Sequence, residues 1–194
     1  MNKLKVSFPY PTVKPSIEKD FTNGRPTGWC NGVNIGMFEE IITPEMKVII
    51  DGGSFMGCSA SHFLELAPNA SIICIDHWKG SIEHQQREDV NELFEKFIVN
   101  MWDHKDRVFP VRKDSTVGLL AVKAAGVEPD LIYIDWSHDT TNVINDITEA
   151  YKLFPDAIIC GDDYTWPSVK KAVQIMIDTR GFEFKTYETC WRLL

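Results

Sequence analysis

The sequence has no excess of positive charge, no closely paired cysteines and no long apolar run, and each absence excludes a class of protein. Its 194 residues carry 20 Lys and Arg against 28 Asp and Glu, a net charge of −8. Nucleic-acid binders show a basic excess or stripe, so a nucleic-acid partner is not expected. No apolar run approaches the ~18 residues that span a bilayer. The amino terminus, MNKLKVSFPYPTVKPSIEKD, holds no continuous apolar stretch of the secretory kind. No membrane partner is expected either. The five cysteines (Cys30, Cys58, Cys74, Cys160, Cys190) are odd in number and form no CxxC pair. That suits a reduced, cytoplasmic chain better than a disulfide or zinc framework. Internal repeats and low-complexity tracts are also missing. What remains is an ordinary globular composition, 44% hydrophobic and 25% charged, long enough for one domain with a full core.

Residues 1–45 differ from the rest. Pro9, Pro11, Pro15 and Pro26 all fall before position 27, and Gly24, Gly28, Gly32 and Gly36 come in close succession. The segment reads as an extension packed on a domain at 46–194, and a substrate lid is one use for it. From Val48 onward, short apolar runs alternate with helical patterns. The runs are 48–51, 71–76, 108–112, 131–135, 157–161 and 182–187. Near-continuous apolar runs suit strands covered on both faces, and Cys74 and Cys160 sit within them as small hydrophobes. Between the runs lie five stripes at helical spacing: Ala60 to Ala67, Val90 to Met101, Val117 to Ala124, Val143 to Phe154, and Val169 to Ile177. Gly126 is placed to close the third stripe and Pro167 to open the fifth. The last stretch, 182–194, has room for two short strands. This alternation predicts an α/β fold, a doubly wound, mostly parallel seven-stranded sheet with helices on both faces.

In such a sheet, ligands bind beyond the carboxyl ends of the strands. Those ends carry Asp51, Asp76, Asp135 and the pair Asp162–Asp163, while the third is followed by Asp114 and Ser115. The first strand ends in VIIDGGSFMG, in which Gly52, Gly53 and Gly57 permit a sharp turn and a close approach. This is not GxGxxG, and the acid before the glycines would repel a pyrophosphate. It suits a ligand with a positive end. Asp76, 25 residues later, is placed to bind ribose hydroxyls. A nucleoside with a cationic amino-acid tail fits both, and S-adenosylmethionine is that molecule.

DGGSFMGCSA, CIDHWKGS and YIDWSHDTTNVINDITEAYKLFPDAIICGDDY resemble the class I S-adenosylmethionine-dependent methyltransferases over about residues 47–178. More narrowly they resemble the metal-dependent small-molecule O-methyltransferases of the catechol and macrolide-sugar types. The resemblance implies that Asp51, Gly52, Gly53 and Ser54 hold the methionine end and Asp76 the ribose. It places His77 and Trp78 beside the adenine, with Asp114 and Ser115 near its amino group, and it counts Asp135 in the same cofactor site. The chain departs from the family in the long polar loop HWKGSIEHQQRED and in Pro155 and Asp156, which stand where a glycine pair is usual.

Asp135, Asp162 and Asp163 are separated by 27 and 28 residues. If their strands are neighbours, three carboxylates converge and raise one another's pKa, a conflict that a divalent cation removes. Oxygen donors favour Mg²⁺, or Mn²⁺ or Ca²⁺, and the resemblance makes these three the metal ligands. The competing reading has Asp162 and Asp163 capping the next helix. His138, three residues after Asp135, is placed to accept a hydroxyl proton as the methyl group transfers, and Asp135 joins it in the catalytic set. Trp136 and Trp166, with Trp29 and Trp102, are candidate walls of an acceptor pocket. His62 reads as structural, and neither His77, His84 nor His104 has a placement like that of His138. The expected reaction is O-methylation of a sugar, diol or phenol, a small-molecule acceptor, and homo-oligomerisation is left open. The alternatives are a non-catalytic S-adenosylmethionine-binding module, a nicotinamide-dependent oxidoreductase on a Rossmann sheet, and methyl transfer to nitrogen without a metal.

Overall fold

The computed structural model describes residues 3–81 and 89–194, so His84 lies outside the described residues. The strand-like runs form a seven-stranded sheet: β3 (Val48–Gly52), β4 (Ser71–Asp76), β5 (Val108–Arg112), β6 (Leu131–Ile134), β7 (Ile158–Gly161), β8 (Phe184–Tyr187) and β9 (Cys190–Leu193). Their order is β5-β4-β3-β6-β7-β9-β8. The first five are parallel, β9 runs antiparallel to β7, and β8 antiparallel to β9. A small hairpin, β1 (Phe21–Thr22) with β2 (Arg25–Pro26), stands apart from it. The order reverses at β3, which pairs with β4 on one side and β6 on the other. That is the topological switch where a crevice opens in this class of sheet.

Helices cover both faces: α1 (Lys3–Ser7), α2 (Gly32–Ile41), α3 (Cys58–Leu66), α4 (Leu93–Asn100), α5 (Ser115–Ala124), α6 (Thr140–Leu153) and α7 (Pro167–Arg180). The strand residues alternate between two cores. Ile49, Ile72, Cys74, Leu131, Tyr133 and Cys160 pack with Phe38, Phe63 and Phe97 from α2, α3 and α4. Ile50, Ile73, Ile75, Ile132, Ile134 and Ile159 pack with Leu119, Ile147 and Val173 from α5, α6 and α7. Both strand faces are therefore buried, which is why the runs are apolar throughout rather than alternating.

Pro167 occupies the first turn of α7, and Gly181 closes it at φ 69°. Gly126, just after α5, adopts φ 66°. The second predicted stripe starts as a short 3₁₀ turn, Val90–Glu92, before α4 begins. Helix α2 was not anticipated. Gly32 and Gly36 weaken its local signal, but Asn31 caps it with hydrogen bonds from the Val33 and Asn34 amides, and Met37, Phe38 and Ile41 bury its inner face. Leu4 and Phe8 pack into the opposite core, so the residues before β3 touch both faces of the sheet.

Candidate active site

The carboxyl ends of β3, β4, β6 and β7 open into one cavity of about 1670 Å³. Every site residue expected from the sequence lines it except Asp51 and Gly52. Asp51 is fully buried beneath the loop after β3. The Ser54 hydroxyl donates to its main-chain carbonyl at 2.7 Å, and its Oδ1 has no hydrogen-bond partner among the described residues. Burial pushes its pKa up to about 6, against the pull of the Ser59 and Ser54 hydroxyls.

The glycines serve the fold first. Gly53 adopts φ +79°, and a Cβ there would stand 1.9 Å from the Asp135 carbonyl oxygen. At Gly52 the indole of Trp136 takes the space of a side chain, 2.5 Å from where Cβ would lie. Those two positions let the loop after β6 lie against the loop after β3.

Asp76 spends its carboxylate on the neighbouring loops. The Phe55 amide donates to Oδ2 at 2.9 Å and the Trp78 amide to Oδ1 at 2.6 Å. Both donors are bulky residues at positive φ, 44° and 51°, a conformation that persists only where surrounding contacts enforce it. Trp78 turns its ring into the core, 2% exposed, against Phe94 and Phe97. Its backbone therefore shapes the cavity more than its indole does. His77 stays partly open, its Nδ1 accepting from the Lys79 amide at 2.9 Å. Asp114 stands at the N-cap of α5 without a side-chain cap bond. The Ser115 hydroxyl donates to Asp146 Oδ1 at 2.6 Å.

The acids of β6 and β7 meet differently. His138 Nε2 lies 2.8 Å from Asp163 Oδ2 and 4.0 Å from Asp135 Oδ1. One ligand atom from each of the three falls within 4.8 Å of the others. Asp163 holds this position at φ 59°. Burial, then the charges of Asp162 and Asp163, push the Asp135 carboxyl well above the usual carboxylate range. A recess of about 10 Å³, the size of one water, lies among Asp135, His138, Asp162 and Asp163. Asp162 itself is held from behind. Its Oδ2 accepts from Asn34 Nδ2 at 2.5 Å and the Tyr133 hydroxyl at 3.3 Å, and its Oδ1 from the Cys190 thiol at 3.2 Å. Neither acid caps α7 with its side chain. The N-cap there is Trp166, whose amide donates to the Asp163 carbonyl at 2.8 Å.

A family described as a methyltransferase domain matches residues 50–164. The chain belongs to this methyltransferase family. No curated protein matches it. Solved structures show the same fold at low identity. Fibrillarin, in a fibrillarin/Nop5p complex, superposes with a TM-score of 0.59 at 15% identity, over 93% of this chain and 90% of that one. The O-methyltransferase from Bacillus cereus in complex with SAH gives 0.59 at 15%, over 87% and 84%. A TDP-rhamnose 3'-O-methyltransferase of calicheamicin biosynthesis gives 0.58 at 12%, over 83% and 76%.

Three of the four candidate tryptophans line the cavity of this methyltransferase: Trp29, Trp136 and Trp166. The ring of Trp166 sits 4.6 Å from that of His138. Trp102 instead packs edge-on against Tyr10, outside the cavity wall. Two residues of the site carried no motif. Asn34 is fully buried on α2 and reaches Asp162 across the fold. Asp146 is 2% exposed on α6, lines the cavity, and leaves Oδ2 without a hydrogen-bond partner among the described residues. Burial raises its pKa to about 7, against the pull of the Ser115 hydroxyl. An acid inside the apolar stripe Val143, Ile147 and Ala150 was the available signal for it.

Proposed function

We propose that this methyltransferase moves a methyl group from S-adenosylmethionine to a hydroxyl of a small molecule, with a divalent cation beside the acceptor. The observation that carries this reading is the division of one cavity. Asp76, its carboxylate already satisfied by main-chain amides, lines its β3–β4 side, and a crowded Asp135–His138–Asp163 cluster lines its β6–β7 side.

On the donor side, the loop of Gly53 and Ser54 would face the methionine end and Asp76 the ribose. His77, Asp114 and Ser115 would border the adenine, with the Trp78 main chain behind them. Asp51 would contribute from below the loop, through its field rather than by contact. The donor, when bound, supplies a sulfonium-activated methyl carbon, and the protein's task is to align it with the acceptor oxygen.

On the acceptor side, the donor set fits a hard divalent ion. Asp135 and Asp163 offer carboxylate oxygens to a common point, burial and charge crowding disfavour the ionised form of Asp135, and Asn34 and Tyr133 brace Asp162 behind them. Mg²⁺ suits these ligands, as do Mn²⁺ and Ca²⁺. Such an ion, when bound, lowers the pKa of an acceptor hydroxyl. His138 would take the proton at Nδ1, its ring oriented by Nε2, which lies 2.8 Å from Asp163 Oδ2. The aromatic walls at Trp136 and Trp166 suit a sugar, diol or phenol. The net charge of −8 and the acidic rim disfavour a polyphosphate backbone as acceptor. Residues 1–45 would act as an appended segment that shapes the acceptor end, through Trp29 and Asn34.

Calorimetric titration of S-adenosylhomocysteine into the wild type and Asp76→Ala tests the donor reading. The variant is expected to bind roughly tenfold to a hundredfold more weakly, about 1.4–2.7 kcal/mol. Equal affinity would remove Asp76 from the ribose site. Chelator treatment should abolish methyl transfer and added Mg²⁺ restore it, whereas indifference to chelator would remove the cation while leaving the donor reading intact.

A further inference from the structure

A second group of reactive side chains lines the same cavity and has no part in the mechanism above. Cys30 immediately precedes Asn31, the N-cap of α2, and Cys58 is the first residue of α3. Both face the cavity. The chain at Gly28 runs directly over Cys58, since a Cβ at Gly28 would stand 2.6 Å from the Cys58 Cβ and 3.6 Å from its Sγ. Trp29 likewise packs on Phe55, three residues before Cys58, with ring centroids 5.1 Å apart, so the segment that carries Cys30 lies against the start of α3. His62, one turn along α3 and largely buried, follows Cys58 by four residues and so shares its helix face. Gly57, the N-cap of α3, has no side chain to cap the helix. The start of a helix favours an anion, and a thiolate there is the nucleophilic form of cysteine.

The electrostatics agree with the geometry. The neighbouring Cys30, then His62, lowers the Cys58 thiol against the effect of burial, while Cys58 and burial raise Cys30. One sulfur is prepared as thiolate and its neighbour keeps its proton.

We propose that Cys30 and Cys58 form a thiol pair that a peroxide converts to a disulfide, fastening the segment before α2 to the loop after β3. The Cys58 thiolate attacks one oxygen of hydrogen peroxide, the O–O bond breaks, and hydroxide leaves and is protonated to water. Cys58 is then a sulfenic acid. The Cys30 sulfur attacks the Cys58 sulfur, the S–S bond forms, the S–O bond breaks, and a second water leaves with the Cys30 proton. Two thiols are oxidised and one peroxide is reduced to two waters. Trp29, adjacent to Cys30, makes the ring contact with Phe55. The linkage holds that aromatic contact in place beside the Asp76 loop and restricts entry to the cleft. The effect on the cleft rests on the donor reading above, and the linkage itself does not.

The test treats the reduced full-length chain with hydrogen peroxide, maps its peptides by mass spectrometry, and titrates S-adenosylhomocysteine before oxidation, after it, and after dithiothreitol. The expected product is a peptide joining Cys30 to Cys58, lighter by two hydrogen atoms. Affinity should fall roughly tenfold and recover on reduction. Cys30→Ser and Cys58→Ser should each lose the linked peptide and the response to peroxide. Over-oxidation of Cys58 without linkage, or modification of other cysteines in a chain that stays folded by circular dichroism, would overturn the pair. Linkage with unaltered affinity would overturn its effect on the cleft. If the reduced chain does not bind S-adenosylhomocysteine, the donor reading fails, and the peptide map still decides the thiol pair.

Discussion

Asp76 ends β4 and Asp135 follows β6, the two strands that flank β3, yet the protein treats their carboxylates in opposite ways. Asp76 receives a main-chain amide on each oxygen, from Phe55 and Trp78. Asp135 stands among Asp162, Asp163 and His138, and its ionised form is disfavoured by burial and by like charge. Amide donors stabilise a carboxylate and fix the loops that supply them. Crowded acids stabilise nothing until a proton or a cation arrives. A rim built both ways from one residue type separates a preformed cradle from a site kept electrostatically unsatisfied.

The sharpest way to break that contrast is Asp135→Asn. Methyl transfer, followed with a radiolabelled donor, is expected to fall about 10³-fold, roughly 4 kcal/mol in the barrier. The same variant should melt at a higher temperature than the wild type at pH 8, because the repelled charge is gone. Retained activity together with a lower melting temperature would reverse the assignment of the two halves.

Gly53→Ala attacks the seam between them. The new methyl group would meet the Asp135 carbonyl in a backbone at φ +79°. A loss of about 3–5 kcal/mol in urea unfolding is expected, the scale of strain at a special backbone position. A loss under 1 kcal/mol would mean that the two loops part easily.

Asp146→Asn gives the smallest effect and refines the donor side. The folded pKa of Asp146, about 7, lies above the usual carboxylate range because of burial. Its neutral form therefore contributes stability that is complete below about pH 4 and is lost as pH rises through 7. Asparagine remains neutral and keeps an acceptor for Ser115. The variant should match the wild type in thermal melts at pH 4 and exceed it at pH 8 by roughly 1 kcal/mol. A difference that does not change with pH would show that Asp146 is not held neutral.

Strands β3 to β7 were legible because each is covered on both faces, so their apolar runs stand out against polar loops. Helices α3, α5, α6 and α7 were legible from stripes with a glycine or proline at one end. Helix α2 was not, since its glycines obscure the local pattern and its stability comes from Met37 and Phe38 packing on residues far along the chain. The same distance hid part of the site. Asn34 and Asp162 are 128 residues apart, and no local spacing announces their bond. Asp162 and Asp163 are adjacent in sequence, yet one turns to Asn34, Tyr133 and Cys190 and the other to His138. That division follows from a left-handed residue at 163, which only the packed loop could reveal.

The sequence by itself determined which strands end in acids, because apolar runs and strand-end polar residues are local features that a parallel sheet must carry to one edge. Tertiary structure alone decided which acids are neutralised by amides and which are left to confront one another. Side-chain direction at a loop depends on the neighbours that fill the space beside it, and those neighbours come from α2, β9 and the loop after β3.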